Sequence, residues 1–209
     1  MVTLKEAGGT GHARYTYRLR VSSTARTALL GEWARCRWVW NECCARSKKA
    51  YADGERCGPA RLDRMLTEAR AANAWLREGS SVPQQQTIRA FATSRAKALK
   101  DIKARLPKRR CAGMPRYRKK HGADPSLNYT RRGFCLRDGR LHLAGGIAVS
   151  VVWSRELPQS PSSVRIYRDS LGHWYASFVV PATTSSRSSV GASSVTSERS
   201  RSSQPTSSA

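Results

Sequence analysis

The chain has 209 residues, with 38 Lys and Arg against 14 Asp and Glu, a formal charge of +24 and an isoelectric point near 11.0. Self-repulsion on this scale opposes compaction, so the charge points to an anionic partner, and nucleic acid is the commonest polyanion. No apolar run reaches the roughly 18 residues a membrane span needs, and Met1-Val2-Thr3-Leu4-Lys5 leads into glycines rather than an apolar leader, which argues against a membrane partner and secretion and for a cytoplasmic setting.

The first dozen residues, with Gly8-Gly9-Thr10-Gly11, read as loose. Tyr15-Thr16-Tyr17-Arg18-Leu19-Arg20-Val21 then alternates as a half-buried strand does. Ser23 or Thr24 can cap a helix over 24–50. Its stripe is Leu29, Trp33, Cys36, Trp40 and Cys43, at steps of four and three. Trp38 lies off that stripe, which suits either a stack on nucleic acid or a second packing layer. Asp53-Gly54 and Gly58-Pro59 end the helix. A shorter helix covers 60–72, with Leu62, Met65 and Leu66 inward. Ser80 or Ser81, with Pro83, opens a third near 83–105. Ile88, Phe91, Leu99 and Ile102 form its apolar side, while Arg89, Lys97, Lys100 and Lys103 fall in a broad arc elsewhere. Arg95 sits on the apolar side, either buried and paired or snorkelling past the core.

Beyond 107 the helical period stops, and short strands follow at 126–130, 134–137, 140–144, 147–153, 163–168 and 173–180, with Asp138-Gly139 and Leu171-Gly172 as turns. No aromatic residue, Leu or Ile follows Val180, and Ser and Thr dominate. Such a segment buries too little apolar surface to offset its ordering entropy. The fold class predicted is α+β: an antiparallel β-barrel over 14–22 and 107–180, a three-helix insertion over 23–106, a flexible N-terminus over 1–13 and a disordered tail over 181–209.

The densest charge runs from Arg95 to Lys120 and contains a single acid, Asp101. It includes Lys97, Lys100, Lys103, Arg109 and Arg110, and closes in Pro115-Arg116-Tyr117-Arg118-Lys119-Lys120. An aromatic among cations on a proline-fixed loop suits phosphate contact combined with stacking. Catalysis is not indicated. The carboxylates form no cluster that could hold metal at a scissile phosphate. The cysteines, Cys36, Cys43, Cys44, Cys57, Cys111 and Cys135, include no C-x-x-C pair, and the four histidines lie at no ligand spacing. No metal or other cofactor is expected, and Cys36 and Cys43 read as core.

Several of these stretches resemble the N-terminal part of the TnpB/OrfB family of insertion-sequence proteins, RNA-guided DNA nucleases related to type V Cas effectors. Tyr17-Arg18-Leu19-Arg20 with Thr24 and Leu29-Leu30 resembles the family's opening, although Ser23 stands where a proline is usual. Cys36-Arg37-Trp38-Val39-Trp40-Asn41 resembles its C-R-x-x-(Y/W)-N segment. Trp75-Leu76-Arg77-Glu78 with Val82-Pro83-Gln84-Gln85-Gln86 resembles its next helix. Gly113-Met114-Pro115-Arg116-Tyr117-Arg118-Lys119-Lys120 resembles its G-x-P-R-(F/Y)-K-K block, and Gly172-His173-Trp174-Tyr175-Ala176-Ser177-Phe178-Val179-Val180 gives a further echo.

The resemblance implies a β-barrel wedge domain with a helical recognition domain inserted in it. Together these grip guide RNA and the RNA–DNA heteroduplex by backbone and shape. It adds Arg37, Trp38 and Asn41 to Arg89 and the cations and Tyr117 named above as candidate nucleic-acid contacts. In the family a RuvC-like nuclease domain begins soon after the Trp-Tyr strand, with its first catalytic Asp in a G-(I/V)-D-x-G segment. Here Val190-Gly191-Ala192-Ser193-Ser194 follows, and no Asp lies beyond Asp169. The expectation is a truncated or frameshifted copy that binds guide-type RNA and DNA without its own nuclease centre, alone or with a separately encoded nuclease domain.

Overall fold

The structure, a computed structural model, describes residues 11–120 and 124–181. The expectations for residues 1–10 and 182–209 lie outside them. The elements run β1 (His12–Arg20), α1 (Ser23–Ala52), α2 (Pro59–Ala72), α3 (Ala74–Glu78), α4 (Ser81–Lys103), β2 (Ser126–Thr130), β3 (Phe134–Arg137), β4 (Arg140–Leu143), β5 (Ile147–Val152), β6 (Ser163–Arg168) and β7 (Trp174–Pro181). The expected strand–helices–strands order is present. The insertion carries four helices rather than three, because Asn73 breaks the chain after α2 and caps α3 by accepting from Trp75 N. Ser22, one residue earlier than expected, caps α1 by accepting from Ala25 N. Ser80 caps α4 in the same way, accepting from Val82 N.

The seven strands form one antiparallel sheet in the order β2-β6-β7-β1-β5-β4-β3. It is not a closed barrel, which corrects the expectation. The edge strands β2 and β3 are joined only by a 3₁₀ turn, Arg131–Gly133. So short a link spans little more than about 13 Å, and the sheet must curl until its edges approach. No ladder joins them. Val82, in the first turn of α4, abuts Gly133 so closely that a Cβ there would meet its Cγ1 at 2.8 Å. Helix packing therefore occupies the place where closure would occur. β1 also starts earlier than expected. His12 pairs with Pro181 and Ala13 with Val180, so the expected loose end and the start of the expected tail are drawn into the ladder.

Alternation along the strands aims one sheet face inward. Tyr17, Leu19, Val149, Val164, Ile166 and Phe178 pack with Leu29, Trp33 and Cys36 from the first half of α1. The second half of α1 contributes Val39, Trp40, Cys43 and Cys44 to a separate core with Leu62, Met65, Leu66, Leu76, Ile88 and Phe91. One helix, roughly 45 Å long for its 30 residues, is thus a wall of both cores. The stripe read from the sequence is buried throughout. Leu99 and Ile102, expected inward, are 42% and 54% exposed. The α1–α2 link abuts α4 at Arg95, whose Nη1 donates to Cys57 O (3.1 Å), and the last turns of α4 project past it. Arg95 is thus a half-buried arginine paired to backbone.

A polar hub joins the helices. Glu32 is 3% exposed. It accepts from Arg35 Nη1 (3.1 Å) and from Ser80 N (3.2 Å to Oε2). Burial holds its carboxyl above the usual range, although Arg35, Ser80 N–H and Arg70 pull the other way. Arg70 Nη1 donates to Leu76 O (2.8 Å), Gly79 O (3.2 Å) and Gln84 Oε1 (2.7 Å). It gathers carbonyls that the short helix α3 leaves unpaired. Gly79 has no room for a side chain: a Cβ there would meet Arg35 Cδ at 2.4 Å and Glu32 Oε1 at 2.7 Å.

Gly79→Ala should lower unfolding free energy in urea by about 1–3 kcal/mol. Gly113→Ala, where a Cβ meets nothing within 4 Å, should be nearly neutral, and equal effects would disprove the tight contact. The thiols offer a second check. Burial raises the pKa of Cys36 and of Cys43 to about 12, while Cys135 is exposed and Cys111 partly so. A thiol reagent at pH 8 should modify Cys135 and Cys111 in the native protein and reach Cys36, Cys43, Cys44 and Cys57 only on unfolding.

Candidate nucleic-acid interface

The cationic loop after α4 is held by α1. Arg37, Trp40, Asn41 and Cys44 share one helix face at steps of three and four, and all reach the Pro115–Lys120 segment. Trp40 Nε1–H donates to Arg116 O (2.8 Å), and Arg37 Nη1 donates to Lys120 O (3.2 Å). Asn41 Nδ2 donates to Arg118 O (3.1 Å), while its Oδ1 accepts from Arg118 N (2.8 Å). Cys44 Sγ lies 3.8 Å from Pro115 O and donates weakly. The carbonyls of 116, 118 and 120 turn to the helix at a period of two, as in an extended chain. Each bond is worth about 1 kcal/mol net, so the set is enough to hold one loop conformation.

Arg118 closes the clasp. Its guanidinium lies 3.7 Å from the Trp40 ring centroid and 5.4 Å from that of Trp33. Burial lowers its pKa, against the pull of the Cys36 and Cys44 thiols, and it remains a cation. A partly desolvated cation–π contact of this kind contributes about 1–2 kcal/mol. The side chains of the segment on either side of Arg118 are more exposed. Arg116, Lys119 and Lys120 are exposed. Tyr117 is 48% exposed, with Lys48 Nζ 4.5 Å from its ring.

The structure therefore sorts the residues read from the sequence. Arg116, Tyr117, Lys119 and Lys120 display their side chains, and Lys97, Lys100, Lys103, Arg109 and Arg110 are exposed on α4 and the loop that follows it. Asp101, the acid of this stretch, accepts from Ala112 N (2.8 Å) and draws the loop back toward α4. Arg37 and Asn41 spend hydrogen bonds on the loop backbone, and Trp38 is half-buried against the second core. Of the two roles open to Trp38, packing is the one seen. Arg89 is exposed but borders a different hollow, with Asp63, Thr67, Arg70 and Gln85. Sequence reasoning missed Trp40 and Cys44 as clasp residues and Lys48 as the partner of Tyr117. The i, i+3, i+4, i+7 spacing of donors on α1 was the available signal, masked because Trp40 and Cys44 also belong to the core.

A cleft of about 350 Å³ adjoins the clasp, bordered by Trp33, Gln86, Arg118, Asp124, Asn128 and Arg165. It lies between α4 and the β2 edge of the sheet. Among the described residues, no three His, Cys, Asp or Glu side chains are grouped to hold a metal ion. No helix among them is long and apolar enough to cross a membrane.

No protein-family model matches the chain. It is similar to a Streptomyces pristinaespiralis protein named "Putative RNA-guided DNA endonuclease", 30% identical over 183 residues, an alignment covering 81% of this chain and 43% of that relative. The chain spans less than half the length of the relative it matches.

Asn41→Ala removes both side-chain bonds to Arg118, and Trp40→Phe removes the donor to Arg116 O while keeping the ring. Both should speed tryptic cleavage within 108–120 several-fold, with global stability falling by about 1–3 kcal/mol. Unchanged cleavage rates would show that the clasp does not hold the loop.

Proposed function

We propose that this chain is the nucleic-acid-binding lobe of a TnpB-like protein, holding guide-type RNA and its DNA heteroduplex by backbone and shape. The observation that carries the reading is the clasp. α1 spends the donors of Trp40, Asn41 and Arg37 on the loop backbone and stacks one loop arginine, Arg118, on Trp40, and so leaves Arg116, Lys119 and Lys120 in solvent with Tyr117 half-exposed among them. Cations held apart on a fixed backbone, without acids to neutralise them, suit successive phosphates. Lys97, Lys100 and Lys103 extend the same charge along α4. A half-exposed tyrosine among them suits a sugar or an unpaired base. The name borne by the Streptomyces relative supports RNA and DNA as the partners. The lobe binds, and cutting falls to a nuclease domain, encoded with it or separately.

Salt titration tests the electrostatic part. If about six cations contact phosphates, log affinity against log salt should fall with a slope near −4 to −5. Replacing Arg116, Lys119 and Lys120 together by Ala should make that slope shallower by roughly 2–3. A flat salt response would overturn the reading. So would DNA cleavage by the purified chain alone with Mg²⁺, for the binding-only assignment.

A further inference from the structure

The outward face of the sheet is chemically unlike its inward face and is not part of the loop surface. None of the seven strands contains Asp or Glu. Arg14, Thr16 and Arg18 point outward from β1, Arg165 from β6 and Asn128 from β2, all exposed. The register aligns their neighbours in rows across the strands. Ser126 opposes Tyr167, Tyr167 opposes Tyr175, and Tyr175 opposes Arg18. In the next row Asn128 opposes Arg165, Arg165 opposes Ser177 and Ser177 opposes Thr16.

Tyr167 and Tyr175 stack across the strands with centroids 5.5 Å apart and planes 22° apart. Both are half-buried in this face, outside the two cores. The Arg165 guanidinium lies 5.8 Å from the Tyr167 ring, with its Nε donating to Ser126 Oγ (2.8 Å). Arg18 stands two strand spacings from Tyr167, about 10 Å away. The nearby acids are engaged. Asp169 accepts from His173 N (2.8 Å), and Asp124 lies 3.9 Å from Arg168.

We propose that this face binds single-stranded RNA, with unpaired bases stacking on the Tyr167–Tyr175 platform and phosphates meeting Arg18, Arg165 and Arg14. The charge is complementary to a polyanion, and the acids beside it, Asp124 and Asp169, lie outside the strands and next to Arg168 and His173. Two parallel aromatic rings on a rigid sheet offer π-faces that any base can use, and guanidinium groups at their borders can pair with phosphate. Duplex presents its bases stacked and closed, so the platform selects single strands. Ribose rather than deoxyribose is indicated by the row beside the tyrosines, where Asn128 exposes an amide and Thr16 Oγ1, which donates to Ser177 Oγ (3.3 Å), can still accept from a 2′-hydroxyl. The cleft at the β2 edge, bordered by both Arg118 and Arg165, gives a strand a path between this face and the loop. The proposal stands without the loop reading.

The test is fluorescence anisotropy on the full chain. The probes are a labelled 12-nucleotide RNA that cannot self-pair, the DNA strand of the same sequence and a 12-base-pair RNA duplex. Replacing both Tyr167 and Tyr175 by Ala should weaken the RNA strand tenfold or more, since stacking contributes about 1–3 kcal/mol per base, and should leave the duplex within twofold. Replacing both by Phe should restore strand binding, which separates stacking from a folding defect. Replacing Arg116, Lys119 and Lys120 by Ala should weaken the duplex more than the Tyr changes do, so failure of the loop reading shows in a different variant. Retained strand binding in the Ala variant, or failure of the Phe variant to rescue it, would overturn the proposal. Equal loss of strand and duplex would do the same, and equal affinity for RNA and DNA strands would overturn its assignment to RNA.

Discussion

A loop made of cations cannot hold itself together. Its charges repel one another, and solvent competes for every backbone group. In this protein the problem is met by hydrogen bonds from α1 to the loop's own carbonyls, two of them from neutral groups and one from Arg37. Trp40, Asn41 and Arg37 take the carbonyls of 116, 118 and 120 in turn, and Asn41 also accepts the Arg118 N–H. The arginine that turns inward is stacked on Trp40. That leaves the remaining cations in water, where they cost little and meet a partner first. The reading of the surface as a phosphate grip depends on this division.

The clasp rests on how α1 is anchored. Its first half is embedded against the sheet and its second half against α2 and α4, so the donors stand on a helix anchored at both ends. The Glu32–Arg35–Arg70 hub ties the same helix to the α3–α4 junction. A buried network of this kind is strongly destabilised when one partner is lost, even where its net contribution to stability is modest. The curled sheet turns its apolar face to the α1 side and its other face to solvent. That is why polar and aromatic side chains can occupy strands that are otherwise deeply built into the core.

Much of this was legible in the sequence. The α1 stripe, the first strand, the Asp138-Gly139 hairpin and all six later strands follow from local periodicity and turn chemistry; the structure has the six within a residue, and the first strand begins three residues earlier than read. Asp138 and Gly139 both take the positive φ such a turn requires. What escaped is non-local. Nothing in the spacing of β2 and β3 says whether a ladder joins them, because Val82 of α4 decides it from far away in sequence. Leu99 and Ile102 carry the apolar period of α4 but lie beyond the point where a neighbour exists to bury them. Trp40 read as core and is core, yet its indole N–H also serves the loop. Alternation in β1 identified an inward face and drew attention away from the arginines on the other.

The clasp addresses atoms that every amino acid possesses. Between Arg116 and Lys120 its hydrogen bonds engage carbonyls and one amide, and of the side chains it packs that of Arg118 on Trp40 and sets Lys48 over Tyr117. The displayed positions are therefore interchangeable parts on a fixed mount: residues 116, 119 and 120 can be rewritten without disturbing how the segment is seated. A lobe built in this way can change what it recognises by point substitution alone, while the helix behind it stays the same.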